Sequence, residues 1–434
     1  MMTSFRKQIF FLFSTTFIGL GAGLAAVGFQ YGYAWIFQHT IAAASHLPFW
    51  LFATLALLLI TGGALITGLF MQRFAPDAPG SGIPQVKAAY NSKNFDFSWN
   101  LLWVKFFGGI LSLGTGSSMG REGPTIHIGA AIASKISLSV KESKGARGNA
   151  ICAGAAAGLA AAFNSPLAGV TLVLEVIAVS QNMDKYAGRS LLASAISVSM
   201  VYLMTGDAAS LPVKGNLIMK EDILWLSPLV AIFAGFMGVF FQWATLGLRK
   251  WYKNSSFPLW LRPATGALIA GSLCVVAFAL TSRLGAFGPG EVDLRAALDN
   301  QIAWNAAAWL LAAKLLATIF CSGAGGCGGI FGPLIFFGGM SGLIVFGATT
   351  EWLHLDMEDQ TLLALIGMTA CLSAVVRTPL TSILIVMEMT HQLHVLPALM
   401  IAAVTGVFMN RLFFRNNFYD ETLRQDGIQL IGEQ

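Results

Sequence analysis

Gly114-Thr-Gly-Ser-Ser-Met-Gly-Arg-Glu-Gly-Pro-Thr-Ile-His-Ile-Gly-Ala130 lies between apolar runs and decides the fold. Five glycines and one proline fall within these 17 residues, and Arg121 and Glu122 are its only charges. Proline suits the first turn of a helix, where its missing N–H would have had no partner. The pattern therefore predicts an irregular crossing over 114–122 and a helix from 123 onward. The free N–H groups and the positive dipole end of that helix face back into the glycine-rich segment. An end of this kind suits an anion, and glycine lets the anion approach the backbone.

The stretch occurs twice. Shifted by 209 residues it meets Gly323-Ala-Gly-Gly-Cys-Gly-Gly-Ile-Phe-Gly-Pro-Leu-Ile-Phe-Phe-Gly-Gly339 without a gap. Lys105 and Lys314 stand nine residues before each block. A second match, at an offset of 213, aligns Asn164-Ser-Pro-Leu-Ala-Gly-Val-Thr-Leu-Val-Leu-Glu175 with Arg377-Thr-Pro-Leu-Thr-Ser-Ile-Leu-Ile-Val-Met-Glu388. Glycine-rich sequence aligns easily by chance, so the Gly-Pro pair and the lysine carry more weight than the glycine count. The chain reads as two related halves, approximately 49–205 and 258–413, with a short C-terminal helix and tail over 416–434. Glycine-interrupted helices at matching places of two halves are the sequence mark of a transporter site near the bilayer midplane.

Composition sets the class. Of 434 residues, 56% are hydrophobic and 11% charged, against roughly 25% charge in a soluble domain. Charge-free stretches long enough to span or nearly span a bilayer occur at Ile9–Gln38, Phe49–Met71, Ile223–Leu248, Ala264–Thr281 and Leu396–Asn410. An all-α polytopic membrane protein follows, with the lipid bilayer as its solvent. The net charge of +5 is spread over short loops, which fits a membrane face and not a nucleic-acid surface. Arg6 and Lys7 precede an apolar run too long for a signal peptide, so the first span is predicted to start in the cytoplasm.

Five cysteines lie in apolar or glycine-rich sequence with no Cys-x-x-Cys, and the histidines have no metal spacing. They read as packing and loop residues, so no metal and no cofactor is expected. An intramembrane enzyme would need a nucleophile with a base, and Ser117, Ser118, Cys321 and Cys327 have no partner in the sequence. A cation transporter would want converging carboxylates and helix C-termini. Two helix starts with one carboxylate favour an anion. Arg121 and Glu122 admit two readings, a buried structural ion pair or a functional intramembrane carboxylate. A carboxylate at a helix N-terminus can itself fill an anion site, and protonation would release it. Glu175 and Glu388 read as helix-end carboxylates reaching the membrane interface.

Gly80-Ser-Gly-Ile-Pro84, Gly120-Arg-Glu-Gly-Pro124 and Gly329-Ile-Phe-Gly-Pro333 stand in this order, with Tyr419 near the C-terminus. They resemble the three signature loops and the inner-gate tyrosine of the CLC chloride channels and transporters, over nearly the whole chain. The resemblance implies two inverted-topology repeats whose broken helices meet at the midplane. It implies an anion site built by Gly80, Ser81, Gly82, Ile330, Phe331 and Tyr419, and an outer gate at Glu122 flanked by Arg121 and Gly123. It implies a homodimer through the helices at 167–177 and 380–389, in the inner membrane of a bacterium. The short tail predicts no CBS regulatory domains.

The sequence departs from the family at two places. Proton-exchanging relatives carry a second glutamate near the inner face. That position falls on Val176, one residue after Glu175, and Gln85 likewise replaces a glutamate. Ser81 is kept where fluoride- and nitrate-using branches differ, so chloride is the expected anion. Channel-like or weakly proton-coupled transport is expected. The alternative is a stoichiometric chloride/proton antiporter with another inner proton route. Glu175 should lie about 100° round a helix from Val176 and face elsewhere.

Overall fold

The computed structural model describes residues 2–94, 96–178, 184–206, 210–213, 217 and 219–428. The expected tail thus lies outside the described residues over 429–434. Among the described residues the chain is helical, and its one pairing of extended type is an isolated antiparallel bridge between Gly120 and Gly329.

The helices come in two series. The first runs α1 (Met2–Phe37), α2 (Phe49–Phe74), α3 (Ile83–Ser92), α4 (Trp99–Gly114), α5 (Glu122–Ser139), α6 (Lys144–Phe163), α7 (Pro166–Leu172) and α8 (Asp184–Thr205). The second runs α9 (Glu221–Asn254), α10 (Arg262–Thr281), α11 (Glu291–Leu298), α12 (Trp304–Gly323), α13 (Phe331–Leu353), α14 (Met357–Val376), α15 (Pro379–Thr390) and α16 (Leu396–Phe413). A last short helix, α17 (Phe418–Gln425), has no counterpart in the first series. The sequence offsets hold to the residue at helix starts. Glu122 and Phe331 open α5 and α13 at 209, and Pro166 and Pro379 open α7 and α15 at 213.

The packing repeats as well. α1 packs on α4, α5, α6 and α8, as α9 packs on α12, α13, α14 and α16. Gly120 and Gly329, equivalent residues of the two series, exchange reciprocal backbone hydrogen bonds of 2.7 and 2.6 Å. Equivalent residues joined antiparallel and reciprocally are related by a local two-fold axis across the bridge. These are two inverted repeats meeting at their broken helices.

Nine of the described helical stretches are long and apolar enough to cross a membrane. Their outward side chains, among them Trp35, Trp50, Leu58, Trp225, Trp243 and Phe408, are large, apolar and exposed, as a lipid-facing surface requires. The interior is built by small residues. α5 closes on α6 through Gly129, Gly154 and Gly158, and α13 closes on α14 through Gly338, Gly342 and Gly367. In lipid, helices associate by such close backbone approach. α14 is buried from Asp359 to Val376. One buried charge is paired across elements: Arg189 on α8 donates to Glu142 at 2.7 and 3.0 Å and to Ser14 Oγ at 2.7 Å, tying α8 to α1 and to the α5–α6 turn.

Candidate functional site

Three glycine-rich loops converge where the repeats meet. The backbones of 120–123 and 329–330 touch closely: a Cβ on Gly329 would lie 2.6 Å from the Gly123 amide nitrogen. The loop before α3 joins them, since Gly80 N–H donates to Gly326 O at 3.0 Å and the Ser81 backbone lies against Gly123. Gly82 ends this loop at φ +92°, a left-handed conformation that L side chains avoid, and the His127 ring fills the space beside it.

The matched lysines explain themselves here. Lys105 is buried and donates to the carbonyls of Ala78 and Gly80, pinning the Ser81 loop. Lys314 is buried and donates to Gly285 O and Gly288 O at 2.9 and 2.8 Å. Those carbonyls belong to the loop 285–290, whose Gly288-Pro-Gly290 stands to α11 as Gly80-Ser-Gly82 stands to α3. Its amide mirrors the first as well, Gly288 N–H donating to Gly116 O at 3.0 Å. This third internal match, at an offset of 208, escapes sequence reading because only two glycines carry it and proline replaces serine. The two lysines at one offset are the signal that could have found it.

Arg121 and Glu122 do not form the ion pair that one reading expects. Arg121 Nε lies 3.2 Å from Glu291 Oε1, at the first turn of α11, and Arg121 Nη1 donates to Tyr33 Oη at 3.1 Å. Neither Glu291 nor Tyr33 is signalled by local sequence. The Glu122 side chain turns the other way. Its Oε1 lies 2.8 Å from where a Cβ on Gly332 would stand, so it crosses to the N-terminus of α13 in the other repeat. Glu122 is fully buried, and neither carboxylate oxygen makes a hydrogen bond of ordinary geometry, although its own amide and that of Gly332 face it. Its repeat partner, Phe331, carries no charge.

The other expected site residues gather on the same helix start. Ile330 caps α13 and Phe331 opens it, both buried, with their amides among the free N–H groups of that end. The Tyr419 ring stacks on Phe331 with centroids 6.4 Å apart and planes 29° apart. Tyr419 is fully buried, its hydroxyl is unpartnered, and Ser81 lies across from it. Ser81 Oγ accepts from Ile83 N–H at 3.4 Å, which leaves its own O–H to donate elsewhere. Gly80, Ser81, Gly82, Arg121, Glu122, Gly123, Ile330, Phe331 and Tyr419 thus form one cluster. A helix N-terminus, two hydroxyls and one carboxylate on a buried backbone cradle suit a small anion and a competing carboxylate.

Val176 and Glu175 stand on a separate element. Both fall in a π-helical turn, Val173–Ile177, and Val176 is buried among apolar neighbours. Glu175 accepts from Leu380 N–H at 3.1 Å, Thr381 N–H at 2.8 Å and Thr381 Oγ1 at 2.6 Å, capping α15. Glu388 returns the contact, accepting from Leu167 and Ala168 N–H at 3.1 and 3.0 Å at the start of α7. The two helix-end carboxylates are thus exchanged between the repeats. Each carboxylate caps the short helix of the opposite repeat, where the helix dipole favours a negative charge. Ser118, read as partnerless, shares a hydrogen bond with Thr318 at 3.1 Å.

Fold and site together define a polytopic membrane protein of two inverted repeats, with broken-helix ends converging on a buried site. The family described as voltage gated chloride channel, the CLC family, matches residues 62–411. The chain belongs to that family. It is 31% identical over 429 residues to the "H(+)/Cl(-) exchange transporter ClcA" of Vibrio cholerae serotype O1, covering 95% of this chain and 89% of that protein. The protein of the same name from Cronobacter sakazakii is 29% identical over 426 residues, with 96% and 90% covered. Among solved structures, a slow cyanobacterial Cl-/H+ antiporter is similar with a TM-score of 0.86 and 26% identity over 96% of this chain and 97% of that one. A CLC-type fluoride/proton antiporter shares the fold at a TM-score of 0.78 and 22% identity, over 95% and 97% of the two chains.

Proposed function

We propose that the protein moves chloride across the inner membrane of a bacterium, with Glu122 as the outer gate and an inner anion site between Ser81, the amides of Ile330 and Phe331, and Tyr419. The observation that carries the reading is the convergence of Glu122 and Tyr419 on one helix start, that of α13. The unprotonated carboxylate takes the place an anion would take at that N-terminus. When protonated it loses its attraction for the dipole end and withdraws, and the anion passes. Ser81 and Tyr419 donate hydroxyls on the opposite side, replacing part of the anion's water shell without adding charge.

The functional unit is a homodimer with one pathway per subunit, its N-terminus cytoplasmic. The outward apolar residues Leu167 on α7 and Leu380 on α15, exposed in the single chain, support pairing through these two short helices. The domain plan is one membrane unit built from the two repeats.

Proton coupling is weak or absent in this proposal. A proton crossing the bilayer needs titratable groups or water within hydrogen-bond reach. Val176 supplies neither, and Glu175 has its oxygens engaged by the α15 cap. A second reading, stoichiometric chloride/proton exchange by another inner route, is favoured by the names of the relatives at 29% and 31% identity. Proteoliposomes with an outward chloride gradient, read for chloride and external pH together, separate the two. The first reading expects chloride flux with little proton counter-flux. Uphill proton movement at a fixed ratio to chloride would establish the second.

A further inference from the structure

The two hydroxyls of the inner site sit on separate elements, Ser81 at the start of α3 and Tyr419 on α17. A side-chain ion pair joins these elements directly. Lys87, on the second turn of α3, donates to Asp420, the residue after Tyr419. The pair is largely buried, with side-chain exposures of 8% and 18%. The other oxygen of Asp420 accepts from Asn417 Nδ2 at 2.9 Å, while Asn417 Oδ1 caps the Asp420 amide at 2.9 Å. The carboxylate is therefore fixed from two sides.

Attachment of α17 does not depend on this pair. Its far end is held by Asp426, which accepts from Arg249 at 2.7 and 2.8 Å and from Lys253 at 2.7 Å, both on α9. Phe418 packs against Phe241 of α9 with centroids 5.8 Å apart. What Lys87–Asp420 adds is the relation between α17 and α3. Lys87 lies about 6 Å along the helix axis from Ile83, at ~1.5 Å per residue, and Ser81 immediately precedes that first turn. A buried ion pair adds little net stability but fixes relative geometry, because moving one partner strands the other in a poor solvent.

We propose that Lys87 and Asp420 are positioning residues that set the separation of the Ser81 and Tyr419 hydroxyls, and with it anion affinity and passage at the inner mouth. The proposal rests on the reading of Ser81 and Tyr419 as anion ligands. The test uses the full chain, with chloride binding measured by titration calorimetry, halide flux in proteoliposomes and thermal unfolding in detergent. Lys87→Met and Asp420→Asn should each raise the chloride Kd about three- to tenfold, the usual coupling between contacting groups, and should speed flux as the hydroxyls part. Lys87→Arg should keep the wild-type Kd, and the exchanged pair Lys87→Asp with Asp420→Lys should return it to within about twofold. Lowered thermal stability with an unchanged Kd in Asp420→Asn would reduce the pair to a tail anchor and overturn the proposal, even should Lys87→Met fail to fold. Ser81→Ala and Tyr419→Phe tell the two readings apart. An unchanged Kd in both overturns the anion site and the proposal with it. A raised Kd in both, with Lys87→Met and Asp420→Asn unchanged, overturns the proposal alone.

Discussion

Replacing Glu122 by alanine should turn a competed anion position into an open one. In the native chain the carboxylate reaches the N-terminus of α13, with Oε1 2.8 Å from where a Gly332 Cβ would stand. An anion that binds there must displace it. A negative charge at a helix N-terminus is stabilised by about 0.3–1 kcal/mol at exposed sites and up to ~2 kcal/mol where partly buried. Glu122 is fully buried, so the upper part of that range applies. Removing the competitor should then raise apparent chloride affinity at this position by about 5- to 30-fold, at 1.4 kcal/mol per decade. Glu122→Gln keeps the shape of the protonated side chain and should give a smaller rise. The sign with pH follows from the same competition. Protonation neutralises the carboxylate, so wild-type flux should increase as pH falls, and both variants should lose that dependence. Chloride titration calorimetry gives the affinities, and proteoliposome flux across a pH series gives the gating. If Glu122→Ala keeps the wild-type pH profile, or binds chloride no more tightly, the gate is elsewhere.

Two further expectations concern the scaffold. Glu175→Ala removes the acceptor for two amides and a hydroxyl at the start of α15. The loss should be about 1–2 kcal/mol, the usual cost of an N-cap, and Glu388→Ala should lose a similar amount at α7. Differential scanning fluorimetry reads both. A changed proton-to-chloride ratio in Glu175→Gln would make Glu175 a proton carrier in place of a cap. Arg189→Met strands Glu142 at a crowded junction of α1, α6 and α8. Breaking a buried pair from one side costs about 3–5 kcal/mol, and the partial exposure of Glu142 at 11% places the expected loss at the low end. An unmoved melting temperature would show that Glu142 finds water.

The halves were legible because periodic features survive in one dimension. Gly-Pro, the lysine nine residues earlier and Ser/Thr-Pro-Leu fixed the offsets, and these hold to the residue at helix starts. Five of the nine spans were visible as charge-free runs. Trp304–Gly323 and Tyr186–Thr205 were not, because Lys314 and Arg189 interrupt them. Those charges are absorbed by contacts far away in sequence, the carbonyls of Gly285 and Gly288 in one case and Glu142 in the other. The same limit hid the partner of Arg121, since Glu291 lies 170 residues on in the chain. The turn at 173–177 defeats face-counting for another reason. Its i→i+5 bonding widens the helix, so the 3.6-residue arithmetic no longer gives side-chain directions.

The site is made by where the repeats differ. A two-fold pair of identical loops would offer two equal anion positions and no order of passage. Here the counterpart of Ser81 is Pro289, a residue with neither hydroxyl nor N–H. Glu122 has Phe331 as its counterpart, so one crossing contributes a charge and the other contributes the helix end that it reaches. α17 lies outside the repeat altogether and brings Tyr419 to that same helix end. The buried lysines, the reciprocal bridge and the crossed glutamate caps stay symmetric, and they hold backbone. The side chains of the proposed anion path depart from symmetry, and in that proposal they carry the chemistry. The proposed path, with a carboxylate on one side and two hydroxyls on the other, has a direction, which a duplicated scaffold alone could not supply.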